Sequence, residues 1–197
     1  MLPVVPQAAL TYVWPINWCG LHRQYLNVGE MEIIAALLRS VEAKSMIEFG
    51  CRDGRTARVL LHNVGSLVRY VGVDVPLSYN PILAHQRAEM VASPGALVVD
   101  DPRFELRVLP HGSLDLRAGD ERFDCCFIDG DHSEEVVYRD AWRAWTIVRP
   151  GGVIIFHDYF NGAVEVQKAV NRLPKEGWQL KHVEGTWLAF AIVGADG

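Results

Sequence analysis

The strongest constraint on this chain is an alternation. From about residue 46 onward, short apolar runs exchange with helix-length amphipathic segments. Strands separated by helices run parallel, because each helix carries the chain back across the sheet, and the result is a doubly wound α/β sheet. Strands are predicted at 45–50, 67–74, 104–109, 123–129 and 153–156. Helices are predicted at 56–62, after the Asn80-Pro81 start signal, from the Ser133 cap onward, and near 163–173. The run 123–129 is apolar almost throughout, as a strand covered on both faces must be. Pro150-Gly151-Gly152 marks the end of the helix that precedes the 153–156 strand.

The end of the chain breaks the pattern. Two β-rich runs, 178–183 and 186–193, are separated only by Glu184-Gly185, a link short enough for a hairpin. A hairpin at the edge of the sheet, adding one reversed strand, follows. The first residues differ again: Tyr12, Trp14, Trp18 and Tyr25 are interleaved with prolines, before a helix at 30–41. Residues 1–44 therefore read as an aromatic arm plus a helix, and 45–197 as the core of a single domain. The arm either packs on the core, covers a ligand as a lid, or meets a neighbouring subunit in a homo-oligomer.

Composition narrows the class. Half of the 197 residues are apolar and 22% are charged, which suits a folded globular chain. With 19 basic against 24 acidic side chains, the net charge of −5 argues against a dedicated nucleic-acid binder. No apolar run reaches the roughly 18 residues that cross a bilayer, and the proline-broken start lacks a signal peptide's basic end. Cys19, Cys51, Cys125 and Cys126 show no metal or redox spacing, so reduced thiols in a cytoplasmic protein are expected.

In an open parallel sheet, ligands bind beyond the carboxyl ends of the strands. Here those ends carry Glu48 to Thr56, then Asp74, His111-Gly112-Ser113, Asp129 to His132, and His157-Asp158. Gly50 and Gly54 allow a turn that approaches a ligand closely before a helix. The spacing is not a dinucleotide fingerprint, since Arg52 and Arg55 stand where its other glycines would be. Glu48 would repel a phosphate and suits a cationic amino group instead. Asp74, twenty residues past Gly54, is placed to accept both hydroxyls of a ribose. Ser113 follows the third strand where a purine would lie. Together these imply an adenosine-like ligand without a pyrophosphate.

The sequence resembles the class I S-adenosylmethionine-dependent methyltransferases. The resemblance is carried by Ile47-Glu-Phe-Gly-Cys-Arg-Asp-Gly-Arg-Thr56, Val71-Gly-Val-Asp74, Phe127-Ile-Asp-Gly-Asp-His-Ser133 and Val148-Arg-Pro-Gly-Gly-Val-Ile-Ile-Phe-His-Asp-Tyr159. It spans roughly 45–193 and implies a Rossmann-like, mostly parallel seven-stranded sheet with the terminal hairpin. It further implies that Glu48, Gly50, Arg52, Gly54, Asp74, Ser113 and Asp129 contact S-adenosylmethionine. One departure is clear: the middle glycine of the family's turn is Arg52 here.

The branch with the Ile-Asp-Gly-Asp-His run includes small-molecule and sugar O-methyltransferases, some with a divalent metal. Asp129 and Asp158 end neighbouring strands, so they are candidate ligands for an ion such as Mg²⁺, and His157 beside them would favour a transition metal. The metal-dependent relatives carry a further carboxylate or amide there, where this chain has His157 and Tyr159. His132 is the candidate general base, a role that typically contributes about 10²–10⁴-fold. His111, His85 and the Cys125-Cys126 pair have no partner spacing and read as surface or packing residues. Two rival readings remain: a non-catalytic adenosine-ligand module, and a methyltransferase acting on a macromolecule.

Overall fold

The computed structural model describes residues 1–10, 15–24, 26–27, 29–117 and 121–194. The alternating pattern folds into a sheet whose order is β1-β7-β8-β6-β5-β2-β3-β4. Its strands are β1 (Val4–Val5), β2 (Ser45–Phe49), β3 (Arg69–Asp74), β4 (Phe104–Val108), β5 (Phe123–Ile128), β6 (Val148–Phe156), β7 (Leu180–Val183) and β8 (Ala189–Ile192). β8 runs antiparallel to both β6 and β7, and the other pairings are parallel. The hairpin is thus present. The strand beyond the expected seven is β1, a two-residue piece of the arm that pairs with β7.

Helices α1 (Glu30–Ser40), α2 (Arg55–Asn63), α3 (Glu134–Ile147) and α4 (Val166–Val170) cover the sheet. One face packs on α3 and α4, where Trp145 and Trp142 lie against Trp178 with ring centres 4.4 and 5.7 Å apart. The other face packs on α1 and α2 around Met46, Tyr70, Phe127 and Ile155. Phe127, fully buried at the centre of the sheet, contributes roughly 2–3 kcal/mol by leaving water. Cys125 and Cys126 point into opposite cores, which is the packing role expected of them. Among the described residues, no helix is long and apolar enough to cross a membrane.

Three expectations change. The Asn80-Pro81 signal starts no α-helix; the segment makes a 3-10 helix at Ala84–Glu89. Its Gln86 amide is bound to Gly130 and His132, so tertiary hydrogen bonds displace the helical ladder that the cap favoured. The helix near 163–173 shortens to α4, followed by a 3-10 turn at Leu173–Glu176 whose Pro174 cannot extend the ladder. Gly151 and Gly152 lie inside β6 rather than ahead of it, with a register shift against β5 absorbing them.

In the arm, Tyr12, Trp14 and Tyr25 lie outside the described residues. Trp18, Ile16 and Leu26 pack against the α1–α2 core. Asn17 binds Asn63 at the end of α2.

Candidate active site

The turn after β2 is tight for a steric reason. Gly50 has φ of +86°, and a Cβ there would collide with the Asp129 carbonyl and the Gly130 backbone. That clearance lets the turn after β2 lie flush against the turn after β5. Arg52, at the family's glycine position, adopts φ of +46°, a left-handed conformation that costs a non-glycine residue about 1–2 kcal/mol. Its surroundings hold it there. The Arg52 N–H donates to Asp74 Oδ2 at 2.6 Å, its carbonyl accepts Gly95 N–H at 2.7 Å, and its Nε donates to the Glu89 carbonyl at 3.0 Å.

Asp74 ends β3 with both oxygens oriented, since Val75 N–H donates to Oδ1 at 2.7 Å. It forms the wall of a cleft with Val75, Tyr79, Met90, Ser113 and Val136. The mixed apolar and polar lining, with an oriented carboxylate in its wall, suits a ligand of nucleoside type. Ser113 is buried at the back and donates to the Asp140 carboxylate on α3. Burial raises the Asp140 carboxyl to about 7, against the pull of the Ser113 hydroxyl. His111, read as surface from sequence, lines this cleft.

A second cleft opens on the other side of the same turn. It is lined by Glu48, Arg55, His85, His132, Asp158 and Trp187, with Gln24 and Leu26 from the arm. Gly50, Arg52, Asp129 and His132 line both clefts. Glu48 is buried at the floor, where Tyr70 Oη–H donates to its Oε2 at 2.8 Å. Burial pushes its carboxyl up to about 8, with the Asp129 and Asp74 charges adding to it, so at neutral pH it carries a proton.

The acids and histidines after β5 and β6 form a buried chain. His157 Nδ1 lies 3.1 Å from Asp129 Oδ1, and His157 Nε2 lies 3.1 Å from Glu30 Oε2. Burial opposes charge on His157, but Asp129, Asp158 and Glu30 around it raise its pKa well above the ordinary value. Burial likewise opposes ionisation of Asp129, and the His157 and His132 charges overcome it, holding that carboxyl far below the usual range. His132 Nε2 lies 3.5 Å from Asp129 Oδ1 and 3.4 Å from Asp158 Oδ2, buried and without a hydrogen bond. Burial lowers its pKa, and the neighbouring Asp129 and Asp158 more than restore it, so the net direction is upward. Asp158 itself sits at φ of +57°, braced by Asn161 Nδ2–H at 3.0 Å.

These positions sort the residues expected from sequence. Gly50, Arg52, Asp74, Ser113 and Asp129 line the first cleft, and Glu48 lies across the turn in the second. Gly54 shapes the turn at φ of +83° as the residue preceding α2. The expected ligand group Asp129, His157 and Asp158 does draw together, with His157 Nδ1 3.1 Å from Asp129 Oδ1 and 3.5 Å from Asp158 Oδ2, but His132 joins the same two carboxylates. His157 has both ring nitrogens directed at carboxylates, and the donor atoms that gather within 4.8 Å are those of Asp129, His132 and Asp158.

Sequence reading missed Glu30, Gln86 and Asp140. Glu30 is fully buried at the start of α1, where it accepts Trp187 N–H and Asn27 N–H at 2.6 Å each. An acid in a first helical turn looks like an ordinary dipole partner, so no sequence signal marked it. Gln86 holds the Asp129–Ser133 loop in place, with His132 N–H donating to its Oε1 at 3.0 Å.

The methyltransferase-domain family matches residues 47–159, more than half of the chain, from the middle of β2 to the residue after Asp158. The chain belongs to that family. Among solved structures, the methyltransferase is similar to cofactor-bound Rv0187 from MTB, at 21% identity and a TM-score of 0.61, over 90% of this chain and 85% of that one. It is similar to the O-methyltransferase TomG from Streptomyces achromogenes, involved in tomaymycin synthesis and solved with SAM, at 19% identity and a TM-score of 0.57, over 86% and 82%. Spermidine synthase from Thermotoga maritima has the same fold, at 18% identity and a TM-score of 0.58, over 89% of this chain and 62% of that one. No curated protein matches. The fold alone therefore carries more than one transfer chemistry, and the site must choose between them.

Proposed function

We propose that this methyltransferase moves the methyl group of S-adenosylmethionine to a hydroxyl oxygen of a small molecule. The observation that carries the reading is the pair of clefts meeting at Gly50, Asp129 and His132. One cleft has the shape and the oriented Asp74 carboxylate for an adenosyl group, and the other gathers ionisable groups at the same junction. Solved relatives in fold, including one O-methyltransferase with SAM bound, support the cofactor and the acceptor atom.

In this reading Asp74 accepts the ribose hydroxyls, and Ser113 and Asp140 line the base end. Glu48 takes up the cofactor's ammonium, giving up its own proton as it does so. The acceptor oxygen attacks the methyl carbon in line with the departing sulfur, and its proton passes to His132 Nε2. S-Adenosylhomocysteine and the methyl ether leave. Asp129, made anionic by His157, holds the His132 ring and stabilises the imidazolium that forms.

A divalent ion is the second reading, favoured by the convergence of Asp129, His132 and Asp158. Two carboxylates and one imidazole whose Nε2 has no hydrogen bond suit such an ion. It would orient the acceptor hydroxyl and lower its pKa. The two readings need the same Nε2 atom for different purposes, so full activity after chelation keeps the base and excludes the metal. The net charge of −5 favours a small acceptor over nucleic acid. The four free thiols, Cys19, Cys51, Cys125 and Cys126, suit a reducing, cytoplasmic setting.

Calorimetric titration with S-adenosylmethionine and S-adenosylhomocysteine, repeated on Asp74→Ala, tests the reading. Binding that the substitution weakens strongly supports it; no binding of either ligand ends it.

A further inference from the structure

At the end of the sheet opposite the hairpin, no strand among the described residues pairs with the outer side of the last strand. β4 is the edge strand, and its Leu106 and Val108 are 38% and 43% exposed. Tyr70 N–H donates to the Arg103 carbonyl and Leu109 N–H to the Asp74 carbonyl, at 2.8 Å each. The odd-numbered residues of β4 therefore turn their backbone groups toward β3, and Phe104, Leu106 and Val108 turn theirs outward. Of these, the Phe104 N–H is closed on the Asp101 carbonyl at 2.9 Å. An edge with free backbone groups is a template for another strand.

We propose that this edge pairs with a second copy of the chain, antiparallel about a two-fold axis at Leu106. The sequence of β4, Phe104-Glu-Leu-Arg-Val108, is self-complementary in that register. Leu106 faces Leu106 and exchanges both backbone hydrogen bonds with it. Each Val108 N–H reaches the other copy's Phe104 carbonyl, and the apolar Phe104 and Val108 side chains meet. Glu105 faces Arg107 of the second copy in the non-hydrogen-bonded position, where side chains approach most closely. Sliding by two residues, the smallest step that keeps the outward groups matched, sets Glu105 against Glu105 or Arg107 against Arg107. Charges on an edge strand commonly block pairing; here their order disfavours the two neighbouring registers.

The same charges are already organised for a shared network. Arg107 lies 2.6 Å from Glu105 and 3.0 Å from Glu121, and Arg69 lies 3.0 Å from Glu105. Two such clusters, brought together by the two-fold, join into one alternating row. An isologous contact of this kind closes as a dimer and leaves no further edge at β4 to extend.

Sedimentation velocity of the full chain over a concentration series tests this. The expected mass is twice 22.0 kDa. Arg107→Glu sets acids opposite one another and is expected to weaken the dimer at least about tenfold, the usual scale of like-charge opposition with loss of a favourable pair. The double variant Glu105→Arg/Arg107→Glu restores the complementarity in reverse and is expected to restore the dimer. Leu106→Pro removes an outward N–H that β3 does not use, and is expected to give a monomer. If that variant fails to fold, the charge pair decides alone. A monomer up to the solubility limit, or a dimer indifferent to Arg107→Glu, overturns the proposal.

Discussion

The two clefts differ in how their residues are held. The wall containing Asp74, Val75, Tyr79 and Ser113 comes from strand ends and the turns after them, with Tyr79 and Ser113 each tied by one neutral hydroxyl to Asp131 and Asp140. The floor around Asp129, His132, His157 and Glu30 is a chain of buried charges recruited from α1, β5, β6 and their loops. The first arrangement can bind with modest loss when one contact goes. The second is interdependent, because removing one member leaves another charge buried without compensation.

Predictions follow that contrast. His132→Ala is expected to lower kcat by about 10²–10⁴ while the affinity for S-adenosylmethionine, read by calorimetry, stays within a few-fold. An equal loss in both would show that the clefts act as one. Asp74→Ala is expected to do the reverse, weakening cofactor binding by roughly 10- to 150-fold, the scale of hydrogen bonds to a charged group, with kcat near normal at saturating cofactor.

Glu30→Gln tests the interdependence from the far end of the chain. It leaves the His157 imidazolium with one fewer counter-charge, and breaking a buried pair commonly costs about 3–5 kcal/mol. A lowered unfolding midpoint with a lowered kcat and unchanged cofactor affinity is expected. Unchanged thermal stability would mean that His157 loses its proton instead, and that the charge chain is softer than its geometry.

Glu48 gives a smaller, sharper signal. It is protonated at pH 7 in the free protein, with its carboxyl pushed up to about 8. Binding a cationic ammonium against it is expected to release up to about one proton. Calorimetry at pH 7 in buffers of different ionisation enthalpy reads that release, and Glu48→Gln is expected to abolish it.

The smallest effect is a stability one at Asp140. Its folded carboxyl titrates at about 7 because of burial, against 3.8 for an ordinary aspartate. The folded state binds an extra proton between those values. The stability this contributes is complete below the lower value and is lost as pH rises through the higher one. Asp140→Asn is expected to flatten the fall in Tm from pH 5 to pH 8, by about 2–4 °C for each kcal/mol removed. An equally steep fall in the variant would assign the slope to other groups.

The sequence by itself determined the layers and the strand exits. Gly50, Asp74, Asp129 and Asp158 stand at the ends of runs whose apolar composition made them strands, so local pattern located them. The hairpin was legible for the same reason. Asn80-Pro81 was a misleading signal because a local cap is worth about 1 kcal/mol, less than the contacts of Gln86 with the β5 loop. His157 and His132 were both visible as residues, but their roles were not. Only the tertiary structure decided that His157 turns between Asp129 and Glu30, the latter 127 positions from it in sequence, while the His132 Nε2 stays free of hydrogen bonds. Burial supplies the physical reason. Pattern specifies which side chains leave water, but a buried charge is held by whichever opposite charge the packed elements bring within reach.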